Sequence, residues 1–245
     1  MDGSCIFRTE RYRTAPRTDP ALTTTNTSRI VTKLFYHPGN ASMAPHCVLE
    51  EIGQPFELAF VDRAHDAHKS ADYLRLNPNG LIPVFIDGDL VLYETAAICL
   101  HLADTHPEKE LAPGLGTPER AQFYKWLMWF TNTLQASLLI YFYPERWLDA
   151  DNGPAAEQVK AHAESRIAGL LDQLEDHLEK SGGPWFLGEH YTVLDPFAMM
   201  LCRWTRGHSR PARNLPRLGP YLQRVLARPA VQRALQTEGL AQPWV

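Results

Sequence analysis

Leu76–Asp104 reads LNPNGLIPVFIDGDLVLYETAAICLHLAD, and this stretch decides how the rest of the chain is read. Asn77-Pro78-Asn79-Gly80 is a dense turn signal. Val84-Phe85-Ile86 and Leu90-Val91-Leu92-Tyr93 are short β-rich runs flanking Asp87-Gly88-Asp89, and Asp-Gly is a strong hairpin cue. After Tyr93 the period changes: Ile98, His101 and Leu102 recur at helical spacing. The predicted order is turn, proline-led strand, hairpin, strand, helix. Glu94-Thr95 falls at the strand-to-helix join, with Thr95 as the expected N-cap. The first amides of such a helix have no internal partners and suit a carboxylate or phosphate, although a capped helix that binds nothing has the same signature. Pro83 lacks a backbone donor, so the strand end before it can pair with an extended peptide ligand.

These residues carry a resemblance. NPNG-LIPVF followed by YET-AAI is similar to the glutathione-binding half of the glutathione transferase superfamily. The resemblance implies that Pro83 is cis and that the backbone of Ile82 meets the cysteinyl part of glutathione. It also implies that Glu94 and Thr95 hold the γ-glutamyl carboxylate, and that Asn79, in the adjoining turn, is glutathione-binding as well.

Working outward toward the N-terminus, Ile30–Tyr36 (IVTKLFY) is a predicted strand and residues 37–42 are the turn after it. Met43–Ile52 is a predicted helix, closed by Gly53. Phe56–Val61 is a second strand, so the three form a βαβ unit with parallel strands. Joined to the hairpin and its helix, this order gives an α/β domain over residues 30–104, which the resemblance implies is thioredoxin-like. Residues 1–29 hold seven threonines, five arginines and two prolines, a composition that predicts a disordered arm. An arginine- and threonine-rich start can also signal a transit peptide, which Asp2, Glu10 and Asp19 dilute.

Toward the C-terminus, residues 105–116 are rich in proline, glycine and charge and read as a linker. Beyond them the β signals stop, and an all-α domain is expected over 117–245. Phe123, Leu127, Phe130 and Leu134 mark the core face of a helix from Pro118 to Leu139, which the aromatic cluster Tyr141-Phe142-Tyr143-Pro144 ends. Ile167, Leu170, Leu171, Leu174 and Leu178 form the stripe of a long amphipathic helix over 155–178. Thr192-Val193-Leu194-Asp195 has the form of a capping box ahead of a mostly apolar helix from Pro196 to Arg206. Two short helices, Leu215–Leu226 and Ala230–Leu235, close the chain. The glycine followed by T-x-x-D also resembles the helical half of glutathione transferases.

KLFYHPGNASMAPH resembles the start of bacterial Beta-class enzymes, with one departure: that class carries a cysteine where this chain has Ala41. Its catalytic histidine also lacks a match, the nearest counterpart being Gln135. A mixed disulfide between glutathione and the protein is therefore not expected. Glutathione is nucleophilic as the thiolate, whose thiol has an ordinary pKa near 8.5, so a donor at the sulfur would favour the charged form. Candidates rank Ser42 first, Asn40 second and Tyr36 third, and a plain turn or N-cap role competes for each. The second substrate is expected between the domains, against His37, Tyr124, Met128, Trp129 and Asn132, with Tyr143 and Trp147 nearby, although core or partner packing competes for the aromatic residues.

The 245 residues are 44% hydrophobic and 21% charged, an ordinary globular balance. A net charge of −4 argues against a nucleic-acid footprint or a polybasic membrane surface, and no apolar run approaches a membrane span. Cys5, Cys47, Cys99 and Cys202 form no C-x-x-C pair, and the ten histidines show no zinc-like spacing. His65 and His68 read as a solvated polar face. No metal is expected, and a reducing cytoplasm fits. The resemblance implies transfer of glutathione to small electrophiles by a homodimer. Glutathione-dependent thiol or peroxide reduction, or a binding protein without turnover, are the alternatives.

Overall fold

The computed structural model describes residues 32–149 and 152–245. The arm expected over residues 1–29, and the first two residues of the predicted strand, lie outside this range. Four strands make one mixed sheet in the order β2-β1-β3-β4: β1 (Thr32–Tyr36), β2 (Phe56–Phe60), β3 (Val84–Asp87) and β4 (Leu90–Tyr93). β1 and β2 run parallel, whereas β3 is antiparallel to both β1 and β4. Between β1 and β2 the chain crosses over through α1 (Met43–Ile52), as a parallel pair requires. Gly53 ends α1 at φ 75°, a left-handed conformation that glycine adopts without a Cβ penalty.

Alternate residues divide β1 between two layers. Leu34 faces the main core with Cys47 and Val48 of α1 and Ile98 of α3 (Thr95–Thr105). Phe35 turns to the other face and packs edge-on against Tyr73, with ring centroids 5.9 Å apart. Tyr73 belongs to α2 (Ala71–Leu76), a six-residue helix that periodicity did not predict. Only Tyr73 is buried there, so α2 carries no repeating apolar stripe, and the Ser70 cap accepting from the Tyr73 amide at 3.2 Å is its main local signal.

The helical half comprises α4 (Pro118–Trp129), α5 (Ala136–Phe142), α6 (Gly153–Ser181), α7 (Leu194–Trp204), α8 (Leu218–Leu226) and α9 (Pro229–Thr237). The single helix expected from Pro118 to Leu139 is instead α4 and α5 joined by a π-helical turn, Phe130–Gln135. The four expected core residues nonetheless stay fully buried. α7 starts at Leu194 rather than Pro196, and α8 at Leu218 rather than Leu215. The segment 105–116 is pinned rather than loose. Leu111 is buried, and its carbonyl accepts from the Val193 amide at 2.9 Å.

One hydrophobic core runs through both halves, from Leu34 and Met43 to Phe197 and Leu222. α1 lies between the sheet and α7 and α9, which is why eight of its ten residues are buried. At the start of α7, Asp195 accepts from the Thr192 and Phe186 amides and the Tyr221 hydroxyl at 2.8–2.9 Å. The Thr192 hydroxyl accepts from the Leu194 amide at 3.3 Å, but Val193 rather than Thr192 holds the cap position of α7. Gly183 is required by a close approach, because a Cβ there would lie 2.2 Å from the Gly188 carbonyl carbon.

Candidate active site

The turn after β1 and the start of α3 meet. The Thr95 hydroxyl donates to the Ala41 carbonyl at 3.2 Å, and Thr95 is buried. Thr95 is therefore not the N-cap, contrary to the sequence expectation. It is the first residue of α3, and Glu94 holds the cap position without a side-chain cap bond. The reason is tertiary: the Thr95 hydroxyl is drawn to the neighbouring turn instead of its own helix end. Glu94 has φ 76° and ψ 115°, a strained backbone for a non-glycine residue. Such strain costs on the order of 1–3 kcal/mol and clusters at ligand sites. It leaves the exposed Glu94 side chain beside the unpartnered first amides of α3.

The Ile82–Pro83 peptide is cis. Among the described residues, the Ile82 N–H and C=O have no backbone partner in the surrounding turns. The turn before it is organised by Asn77, which the sequence marked as a turn residue but not as its organiser. Buried Asn77 donates to the Leu81 carbonyl at 2.8 Å and accepts from the Asn79 amide at 3.1 Å. Asn79 itself is exposed. An asparagine two residues ahead of Asn79, free to fold back as an Asx turn, was the available signal.

The three thiol-activating candidates separate. Ser42 is completely buried, and its hydroxyl is closed on His37, donating to the carbonyl at 3.2 Å and accepting from the amide at 3.3 Å. That removes Ser42 from first place, because a hydroxyl spent on both backbone polar atoms of one residue locks the turn. Ser42→Ala is expected to cost about 1–3 kcal/mol of stability, the range for unpartnered buried groups. It should leave the pH–rate profile in place; a profile displaced by a pH unit in a normally stable variant would contradict the assignment. Asn40 accepts from the Ala41 amide through Oδ1 at 2.6 Å, and among the described residues its Nδ2 has no partner. Tyr36 packs between His46 and Phe60, with ring centroids at 6.3 and 6.0 Å.

The helical half fixes this turn. The Gly39 amide donates to Glu238 at 2.7 Å, and the Gly39 carbonyl accepts from the Trp204 indole at 3.1 Å. Glu238 also meets Nδ1 of His46 at 2.8 Å, with both side chains wholly buried.

The residues expected to receive a second substrate divide. His37 belongs to the turn region, stacks on Phe60 at 5.6 Å and meets the Val61 carbonyl through Nδ1 at 2.9 Å. Tyr124 sits instead against Arg120, whose guanidinium lies 4.7 Å from the ring centre and which pairs with Asp104 at the end of α3. Met128 and Asn132 are exposed. Trp129 lies on the other flank of α4, edge-on to Trp126 at 5.2 Å. None of these four has an aromatic contact or hydrogen bond with the turn; Trp204 bonds to it instead, with Phe142 packed edge-on against Trp204. A cavity of about 680 Å³ lined by Leu111, Arg120 and His190 shares no residue with the turn and is not its substrate pocket.

Burial raises the thiols of Cys47, Cys99 and Cys202 well above their ordinary value, which leaves them unfit as nucleophiles. His65 is exposed and paired with Asp62 at 2.7 Å, whereas His68 is half-buried, so the two do not form one solvated face. Among the described residues no three His, Cys, Asp or Glu side chains are grouped to hold a metal, and no helix is long and apolar enough to cross a membrane.

A thioredoxin-like half with a strained acid–hydroxyl pair at a helix start, packed on an all-α half, defines a class of protein, and the comparisons agree with it. The family model "Glutathione S-transferase, N-terminal domain" matches residues 30–104, and "Glutathione S-transferase, C-terminal domain" matches 144–238. The chain is 33% identical over 208 residues to glutathione S-transferase GST-4.5 of Xanthomonas campestris pv. campestris, covering 85% of this chain and 99% of that one. A glutathione transferase crystal structure from Methylococcus capsulatus is 37% identical with a TM-score of 0.74, covering 86% and 100% of the two chains. A sphingomonad glutathione S-transferase complexed with glutathione is 31% identical with a TM-score of 0.73, covering 85% and 100%. The chain belongs to the glutathione S-transferase family.

Proposed function

We propose that the protein transfers the glutathione thiolate to small electrophilic molecules. The observation that carries this reading is the strained Glu94 at the start of α3, bonded through Thr95 to the turn that holds Asn40. The γ-glutamyl end of glutathione is a zwitterion. The Glu94 carboxylate suits its ammonium, and the first amides of α3 with Thr95 suit its carboxylate. The backbone of Ile82 is placed to pair with the cysteinyl unit in the manner of an added strand. Asn40 then takes over as donor to the sulfur, from a turn at the N-terminus of α1, where the helix dipole also favours negative charge. Tyr36 is ranked behind it, and Asn79, being exposed, is left in a supporting turn. With Ala41 in the cysteine position of the Beta-class pattern, activation by a donor is favoured over disulfide exchange with the protein.

Calorimetric titration with glutathione, followed by turnover on aryl halides, epoxides and peroxides, tests the reading. Glu94→Ala is expected to weaken binding by roughly tenfold or more, the loss of one charge-assisted hydrogen bond. Asn40→Ala should raise the pKa of the bound thiol by about one unit with affinity nearly kept, since the lost donor favours the charged form. Unchanged affinity in Glu94→Ala would move the site elsewhere. Tight binding without turnover on any substrate would leave a binding protein. The same reading includes a homodimer in the cytoplasm acting in detoxification. Tyr124 and Met128, exposed on α4, suit a partner surface better than the substrate cleft. A one-chain mass by light scattering at micromolar concentration would end the dimer proposal.

A further inference from the structure

A closed circuit of contacts frames the turn that holds Asn40. On one side, His37 meets the Val61 carbonyl at 2.9 Å, and two residues later Arg63 donates to the Tyr143 hydroxyl at 3.1 Å. On the other, Trp204 donates to Gly39 at 3.1 Å and packs edge-on against Phe142 at 6.4 Å, next to Tyr143. Arg63 and Tyr143 thus close the frame between the sheet half and the helical half. A second cation joins them, because the Arg146 guanidinium lies 3.9 Å from the centre of the Tyr143 ring.

Among the described residues neither Arg63 nor Arg146 has a carboxylate within ion-pair distance. Asp62 is turned to His65 at 2.7 Å and Asp66 to Lys69 at 3.0 Å. Glu145, beside Arg146, makes no ion pair. Buried Nδ1 of His68 has no partner, and its pKa is lowered first by burial and then by the nearby Arg63 and Lys69. The rest of the frame is aromatic: Phe60 and Phe142 are exposed, and Trp204 partly so.

We propose that the electrophile is an aromatic anion, its ring against Phe142 and Trp204 and its carboxylate or sulfonate held by Arg63 and Arg146 on Tyr143. This rests on the transferase reading and adds the substrate class. Two guanidiniums on one phenol, without acids among the described residues, are suited to a planar anion. For an aryl chloride the step balances simply. The glutathione thiol gives its proton to water, its sulfur pair forms the carbon–sulfur bond, and chloride leaves with the pair of the broken carbon–chlorine bond.

The test compares 4-chloro-3-nitrobenzoate with neutral 4-chloro-3-nitrobenzamide, each rate divided by its uncatalysed rate, in wild type, Arg146→Gln and Arg63→Gln. Binding of unreactive 3-nitrobenzoate is followed in parallel by tryptophan fluorescence. The expected result is a roughly tenfold or greater rise in KM for the benzoate in each variant, the loss of a charged hydrogen bond. The benzamide and glutathione KM values should stay near wild type. Equal changes for benzoate and benzamide would overturn the proposal. So would a change confined to the glutathione KM, which would assign the cations to the glycine carboxylate of glutathione. If no electrophile turns over, the transferase reading fails, and the 3-nitrobenzoate titration still decides the anion site: binding that is saturable and lost in the variants supports it, and binding that is absent or unchanged removes it.

Discussion

Asp195→Ala is expected to lower the unfolding free energy by on the order of 4–6 kcal/mol, because it leaves two buried amides and a buried phenol without an acceptor at 1–3 kcal/mol each. Asp195 is wholly buried and holds the Thr192 amide, the Phe186 amide and the Tyr221 hydroxyl together. It thereby joins the loop before α7, the start of α7 and α8. Urea unfolding measures the loss, and a variant within about 1 kcal/mol of wild type would show that the box is dispensable. Asp195→Asn is not a conservative control, since its amide would turn a donor toward one of the three donors.

The same carboxyl gives a pH signature. Burial raises its pKa from 3.8 to about 6, against the lowering effect of its three donors. The native state then binds the proton more tightly than the unfolded chain. This contribution to stability is fully present below the unfolded value and is lost as pH rises through about 6. The wild-type advantage over Asp195→Asn should therefore shrink between pH 4 and 6 and level off above. An advantage that grows over that window would mean that the donors outweigh burial.

Glu238→Ala is the second large effect, expected at roughly 2–5 kcal/mol, the cost of leaving two buried donors without their acceptor. His46 and the Gly39 amide both lose their acceptor. Gly39 precedes Asn40, so the consequence is not confined to stability. With the transferase reading above, turnover should fall even at a temperature where the variant is fully folded, because the donor at the sulfur is no longer positioned. Glu238→Gln keeps an acceptor for the Gly39 amide and should recover part of the activity. A folded Glu238→Ala variant with wild-type turnover would separate the pair from the site.

Much of the fold was legible because local chemistry and tertiary structure agree. Gly53 is the left-handed cap that the pattern required, and Asp87-Gly88-Asp89 gives the tight β3–β4 turn. The apolar stripe from Ile167 to Leu178 is buried as its spacing predicts. The misses share a cause. α2 buries one residue and has no period to detect. The π-helical turn at Phe130–Gln135 leaves the apolar spacing around it intact, so a pattern of buried positions does not reveal it.

The site was half legible for the same reason. Glu94, Thr95, Ile82 and Pro83 lie on one continuous segment whose turn, strand and helix signals fix their order, and their placement together is written in that order. What each polar atom does there depends on neighbours remote in sequence. The Thr95 hydroxyl leaves its helix for Ala41, and Ser42 closes on His37 rather than facing outward. The turn is held by Glu238 and Trp204, nearly the whole chain away. Tyr143, not Tyr124, reaches the sheet half. Sequence alone determined most of the elements, their order and the division into an α/β and a helical half, because periodicity and turn chemistry act over a few residues. Only the tertiary structure decided which hydroxyl, amide or cation is left free to meet a ligand, because a hydrogen bond is claimed by whichever partner folding brings within about 3 Å.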